Sequence, residues 1–387
     1  MTNPMVAQIE SLPALIRGAA PVYAENITRT LSRKFCRSIR RIYLTGCGDS
    51  HHASIGSELA FEQLAGLTTE AQTSLQFARY TVDTLQDPAH CLVVGASVSG
   101  EVSRTLEGML LARKAGAKVL ALTATPASRI ARAAHLVVDT TQPPFADPPG
   151  MVIPGMRSYV ANQVGMLLTA IHLGEMRGHL STGEAVRLRA EICALSDAAS
   201  FTLEKNLSLA KSTASDWLDA GEFVFCGSGP NYASALFSAA KVLEACGDPA
   251  AGQDMEEWAH LQYFGRQANT PTFIITAADR DRSRAEEIIT AASALGRRVA
   301  VVAPLAAHVL TARAAVVFPL ADGVREMFTP VISAIPASLF AAFRSEALGE
   351  PYFRNFGGGR DREGGGGISR IRTSETLGLE FLNQEDV

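Results

Sequence analysis

Two groups of residues in this chain carry side chains at spacings that chemistry can use. The first is Ser97-Val98-Ser99-Gly100-Glu101, which follows the apolar run Leu92, Val93, Val94 and the small pair Gly95, Ala96. Two hydroxyls and several backbone N–H groups would meet there at the start of a helix, read from Glu101 onward. The positive end of the helix dipole favours an anion at such a place. The loop has neither the lysine of a P-loop nor the three spaced glycines of a dinucleotide fingerprint, so it suits a small anion better than a long nucleotide. The second group is Glu244, late on an otherwise apolar helix (Ala239, Ala240, Val242, Leu243, Ala245), with Glu257 thirteen and His260 sixteen residues further on. A carboxylate that accepts a proton when ionised and returns it when neutral can shuttle that proton between adjacent carbons, and desolvation on an apolar helix raises its pKa. A histidine three residues after a carboxylate shares its helical face and can be oriented by it.

Each of these residues also has a plainer reading. Glu244 is equally a solvated carboxylate paired with Lys241 one turn earlier. His260 can be a structural histidine beside Trp258 and Tyr263. Ser97 and Ser99 can be a helix cap and a turn residue. His51 and His52 invite a metal reading, but no third ligand is spaced to join them, and a helix-start histidine is the simpler assignment, with His51 within reach of a ligand. Arg157, in GMRSYVANQ, either helps to neutralise an anion or is a surface residue. The residue types alone leave these alternatives open.

The elements that would position these groups come as a repeat. Residues 42–66, IYLTGCGDSHHASIGSELAFEQLAG, lie over 223–247, FVFCGSGPNYASALFSAAKVLEACG, without a gap, and Gly46, Gly48 and Gly66 fall on Gly227, Gly229 and Gly247. Each copy reads as a buried strand, a G-x-G turn and a helix ending at glycine. GAKVLAL (116–122) then matches GRRVAVV (296–302) in nearly the same register. Two strand–helix copies at one offset predict tandem α/β domains with parallel sheets. At that offset Ala278-Asp279-Arg280-Asp281 takes the place of Ser97-Val98-Ser99-Gly100, which predicts that the second copy lacks the hydroxyl cradle. The boundaries expected are a helical lead-in over 1–40, a first domain over 41–175, a helical bridge over 176–217, a second domain over 218–345 and a glycine-rich tail over 346–387. GGGRDREGGGG (357–367) holds no fixed element, and ISRIRTSETLGLEF after it docks again as a short strand or helix.

With 387 residues and 47% hydrophobic content, the chain can bury two cores of ordinary size. A net charge of −4 with scattered basic residues argues against nucleic acid or a membrane surface as partner. The N-terminus carries Glu10 and lacks the order of a signal peptide, and no apolar run reads as a bilayer span. Six cysteines stand singly with no C-x-x-C pair, as in a reduced cytoplasmic protein.

Tandem copies, C-G-x-S after the first strand and S-x-S-G-E after a later one together resemble the SIS (sugar isomerase) domain proteins over residues 40–345. The nearest general likeness is to the isomerase half of glucosamine-6-phosphate synthase and to stand-alone amino-sugar and fructosamine phosphate deaminases and deglycases. The resemblance implies an α/β fold with a parallel sheet of about five strands flanked by helices in each of two SIS domains, a homodimer with a shared active site, and a sugar phosphate as ligand, with no cofactor and no metal. It places Cys47, Gly48 and Ser50 in a first phosphate loop and Ser97, Ser99, Gly100 and Glu101 in a second. It gives Glu244 the proton-transfer role, and Glu257 and His260 the Glu-x-x-His whose histidine assists ring opening from across the dimer.

Departures from the family pattern bear on the substrate. Asp49 stands for a hydroxyl residue, Val98 for an amide and Val102 for a threonine. A carboxylate beside a dianion is unfavourable unless a cation or a sugar hydroxyl intervenes. No lysine follows Lys241, so the Schiff-base lysine of the glutamine-dependent branch is missing, and the chain opens Met-Thr-Asn without a cysteine nucleophile. These features point to isomerisation or deamination/deglycation of a phosphorylated ketose or amino sugar, with another anionic sugar such as a sulfo-sugar as the alternative. A non-catalytic sugar-phosphate sensor is the reading from a different class.

Overall fold

The computed structural model describes residues 3–307, 310, 312–356 and 372–379. Among these residues, runs of β-branched and apolar side chains become ten strands in two all-parallel sheets. β1 (Arg41–Gly46), β2 (Thr68–Thr73), β3 (Cys91–Ala96), β4 (Lys118–Thr123) and β5 (Leu136–Asp139) form one sheet in the order β2-β1-β3-β4-β5. β6 (Phe223–Gly227), β7 (Ala250–Asp254), β8 (Pro271–Ile275), β9 (Arg298–Pro304) and β10 (Val316–Leu320) form the other, in the order β10-β9-β8-β6-β7. Read from its opposite edge, the second sheet has the strand order of the first. The chain therefore contains a structural duplication, each half a doubly wound sheet whose direction of winding reverses between its first and third strands. Ligands of open α/β sheets collect at that reversal, outside the carboxyl ends of the strands.

The helices in chain order are α1 (Pro4–Glu10), α2 (Leu12–Thr30), α3 (Arg33–Arg37), α4 (Asp49–Ala65), the single turn α5 (Ser74–Gln76), α6 (Ser103–Lys114), α7 (Arg129–Ala133), α8 (Arg157–Arg177), α9 (Thr182–Asp216), α10 (Pro230–Cys246), α11 (Met255–His260), α12 (Arg282–Ala294), α13 (Pro330–Ser333) and α14 (Ile335–Leu348). The duplication extends to backbone angles. α4 follows Gly48 at φ 54°, ψ −128°, and α10 follows Gly229 at φ 52°, ψ −131°, a conformation that residues with a Cβ rarely adopt. Both helices end at a left-handed glycine, Gly66 and Gly247.

Two compact units are assembled from interleaved segments. The first unit takes Leu15–Pro143 and Ser158–Cys193 together with residues 372–379. The second takes Met1–Ala14, Pro144–Arg157 and Ala194–Asn355. The helical lead-in and the helical bridge are thus each divided between units. In the first unit, Tyr43, Phe77, Val93, Met109, Val119 and Ile130 belong to one buried cluster beneath the sheet. In the second, Phe273 stacks on Phe225 (ring centroids 4.6 Å apart) and meets Phe340 at 5.2 Å. Each such fully buried aromatic contributes about 2–3 kcal/mol through area removed from water.

Pro330–Leu348 is long and apolar enough to cross a membrane, which the sequence reading overlooked, and 83% of it is buried inside the fold. It is split into α13 and α14, and its Arg344 is engaged by Asp248 (2.6 Å) and by the carbonyls of Trp217 and Ala220. Burial on all sides is the mark of a core helix. The glycine-rich run 357–367 lies outside the described residues. Beyond it, the segment 372–379 does dock: the Ser103 hydroxyl donates to the carbonyl of Ser374 at 2.5 Å, Arg104 donates to that of Thr376, and Leu377 packs against the first unit's core.

Candidate functional site

The carboxyl ends of β1 and β3 carry the two loops singled out in the sequence, side by side at the winding reversal of the first sheet. After β1, Cys47 and Gly48 turn the chain into α4. The Cys47 thiol lies 3.9 Å from the Thr105 hydroxyl, and Ser50 is buried, its oxygen accepting from the Asn162 amide at 3.2 Å. Asp49 and His52, one turn apart, place Oδ1 and Nδ1 3.9 Å from each other. Burial, reinforced by neighbouring His52, drives the His51 imidazole down to about 4, so it is neutral at physiological pH.

After β3 the structure corrects the sequence reading in one respect. α6 begins at Ser103 rather than at Glu101, with Val102 as a cap that offers no side-chain acceptor. Residues 97–102 instead form a tight turn of their own. The Ser97 oxygen accepts the Gly100 N–H at 3.2 Å, and the exposed Ser99 oxygen accepts the Glu101 N–H at 3.3 Å. Gly100 sits at φ 66°, and a Cβ there would lie 1.8 Å from the Ser128 oxygen. The carbonyl of Val98 receives the Thr123 and Thr125 hydroxyls, both at 3.2 Å. Glu101 turns away from the loop mouth to accept the backbone N–H of Arg129 at 3.1 Å. The hydroxyls that fix this loop, Thr123 and Thr125, were not legible in the sequence, nor was Ser128, whose buried hydroxyl has no hydrogen-bond partner among the described residues. They come from the end of β4 and the loop after it, and only the β3–β4 pairing brings them alongside.

Glu244, Glu257, His260 and Arg157 belong to the second unit. Glu244 is partly exposed near the C-terminal end of α10 and pairs with Lys241, whose side chain is completely buried with its ammonium 4.6 Å from the centre of the Phe237 ring. The i,i+3 pairing that the plainer reading anticipated is therefore present, but with a buried cation rather than a solvated one. Such a lysine fixes the carboxylate in place, which a surface pair does not. On α11, Trp258 is fully buried and turns His260 outward, 65% exposed. His260 bonds Glu256 at 3.0 Å (i,i+4) rather than the expected Glu257, which is exposed. Across one helical turn Glu256 has the better reach, and Arg284 holds it from the other side at 2.8 Å. Arg157 is buried, donates to the Ser11 hydroxyl at 2.6 Å and covers the Phe145 ring at 4.7 Å. These are partners within its own unit. Among the described residues, no group of three His, Cys, Asp or Glu side chains is placed to hold a metal ion.

The second sheet shows what became of the first loop's counterpart. Ser97 donates its N–H to the carbonyl of Leu122 on β4, and Thr276 donates its own to that of Val302 on β9. Ser97 therefore corresponds to Thr276, two residues away from the place assigned by the gapless sequence offset. A hydroxyl is retained there, contrary to the expectation from Ala278-Asp279-Arg280-Asp281.

Comparison with known proteins agrees with this architecture. Residues 36–164 match the family model described as SIS domain. The chain is 28% identical over 353 residues to a glutamine–fructose-6-phosphate aminotransferase (isomerizing) of Gloeobacter violaceus, covering 87% of this chain and 54% of that protein. A second protein of that name, from Symbiobacterium thermophilum, is 31% identical over 214 residues, 34% of its length. The chain thus spans about half the length of these relatives or less. In fold it is similar to the C-terminal domain of glucosamine-fructose-6-phosphate aminotransferase from Francisella tularensis, with a TM-score of 0.78 at 16% identity, covering 90% of this chain and 97% of that one. It is also similar to glucosamine-6-phosphate deaminase from Thermotoga maritima, with a TM-score of 0.65 at 15% identity, covering 91% and 97%. Residues 36–164 thus match the SIS domain model, and the second sheet repeats the strand order of the first.

Proposed function

We propose that the protein is an enzyme that interconverts or deaminates a phosphorylated ketose or amino sugar. The observation that carries this reading is the Lys241–Glu244 pair, in which a fully buried ammonium holds a carboxylate that solvent still reaches. That carboxylate accepts the proton from one sugar carbon and returns it to the next through an enediol or enolamine. The Ser97–Gly100 turn, with Cys47, Gly48 and Ser50 beside it, receives the sugar's anionic group, and His260 assists ring opening in a homodimer with a shared active site. The relatives named for fructose 6-phosphate and the structural neighbour named for glucosamine 6-phosphate support the substrate class. Six unpaired cysteines fit a reducing, cytoplasmic setting. Asp49, beside the first loop, favours a substrate that carries an amine as well as an anion.

Incubation with fructose 6-phosphate, glucosamine 6-phosphate and fructosamine 6-phosphates in deuterated water tests this. Deuterium enters at the carbon next to the carbonyl, with ammonia or free sugar phosphate released if the substrate carries nitrogen. Absence of both exchange and turnover on all three would reject the enzymatic reading. Glu244→Gln should lower turnover by about 10²–10⁴-fold while substrate binding persists. A sensor, by contrast, would respond to neither assay.

A further inference from the structure

The loop after β8 occupies the same place at the second winding reversal as the Ser97 loop does at the first, yet its interior is differently filled. The Thr276 hydroxyl accepts the Ala278 N–H at 2.7 Å and donates to Asp281 Oδ1, also at 2.7 Å. Asp281 is only 8% exposed. Burial raises its pKa, which the Thr276 hydroxyl and nearby backbone groups only partly offset, and its second oxygen, Oδ2, is buried without a hydrogen-bond partner among the described residues. Ala278 is held at φ 54°, a left-handed conformation that is unfavourable for alanine and that this turn nevertheless keeps. The neighbouring turn is also satisfied from within. Asn231, the counterpart of Ser50, is fully buried, donating to Thr329 at 3.0 Å and accepting from Ser333 at 2.7 Å. In the first unit the Ser97 oxygen accepts a bond from Gly100, and among the described residues its proton is given to no acceptor. In the second, the equivalent proton goes to Asp281.

We infer that the second repeat is an anion cradle closed by its own carboxylate: Asp281 stands where a ligand's anionic group would stand, so the chain accepts one such group, at the Ser97 loop, and rejects a second. This rests on reading the Ser97 loop as the anion site. Asp279 and Glu326 lie close enough to Asp281 and to each other to add to the repulsion, and Arg280 is paired with Glu326 at 3.2 Å. An outside dianion would therefore meet three carboxylates, with Arg280 already paired.

Inorganic phosphate is the probe. Crystals of the full chain soaked in phosphate should show it on the Ser97 turn and not on the Thr276 turn. Phosphate bound at Thr276 in the unaltered chain would overturn the inference. In Asp281→Ala crystals soaked in the same way, phosphate should appear bonded to the Thr276 hydroxyl, and its absence from a folded variant would also overturn it. Asp281→Asn preserves the shape and the Thr276 bond, so it should bind no second phosphate, and a second phosphate there would show that charge alone closes the cradle, against the inference. If the unaltered chain binds no phosphate at Ser97, the reading of the first loop fails, while the difference between Asp281→Ala and the unaltered chain still decides the second.

Discussion

His51 and Lys241 are the two buried nitrogen bases beside the candidate chemistry, and they resolve desolvation in opposite ways. His51 stays neutral. Unfolded, it binds a proton near pH 6.5; folded, only near pH 4. Between those values the unfolded chain holds the extra proton, so the His51 contribution is complete above pH 6.5 and shrinks as pH falls toward 4. The loss should reach about 2 kcal/mol by pH 5. Urea unfolding at pH 7.5 and pH 5 should show this slope, and His51→Asn should flatten it. An unchanged slope would place the effect elsewhere. Lys241 instead meets a carboxylate. Because Glu244 is partly exposed, Lys241→Met lets it rehydrate, and the stability loss should stay near 1–2 kcal/mol, below the 3–5 typical of stripping a fully buried partner. Turnover should fall much further than stability, as kinetics and urea melts on the same preparation would reveal.

At the scale of elements, the strands and their G-x-G turns were legible because buried parallel strands are near-continuous apolar runs and the turns need glycine. The candidate site was legible where its geometry depends on local pattern, as in the Ser97–Gly100 turn or the Lys241–Glu244 pair. It was not legible where it depends on pairing between strands. Nothing in the spacing of Ser128 or Thr123 announces that β4 brings them beneath the Ser97 turn. The helix start was misplaced because Ser99 bonds the Glu101 N–H, and such local side-chain bonds compete with helix formation. A two-residue slip between the repeats likewise hid the match of Thr276 to Ser97. Gly100→Ala tests the turn directly. Its Cβ would collide with Ser128 as well as meet an unfavourable φ, so the variant should lose about 1–3 kcal/mol and phosphate binding together. Gly116→Ala, at φ 91° with open space around it, should cost stability without affecting phosphate. Equal losses of binding in both would remove the turn from the site.

For the molecule as a whole, the exposed apolar residues next to His260 bear on assembly. Leu261 is 57% exposed and Phe264 75%, with Tyr263 between them packing edge-on against both Trp258 and Phe264. Such a patch on a segment that also presents His260 fits a surface covered by a second copy. Light scattering should therefore give about twice the 41.1 kDa chain mass, and Phe264→Asp should yield monomers with reduced turnover. A monomeric parent protein would rule out the shared active site.

The interleaving of segments has a temporal consequence. The first unit owns most of the early chain, yet it also takes the helix that follows residue 157 and the segment 372–379, whose carbonyls receive Ser103 and Arg104. On the ribosome, a domain completed by its own contiguous residues can finish folding before the next is made. Here the segment 372–379 follows all of the second unit in the chain, so α6 of the first sheet gains those contacts only after the second unit has been synthesised.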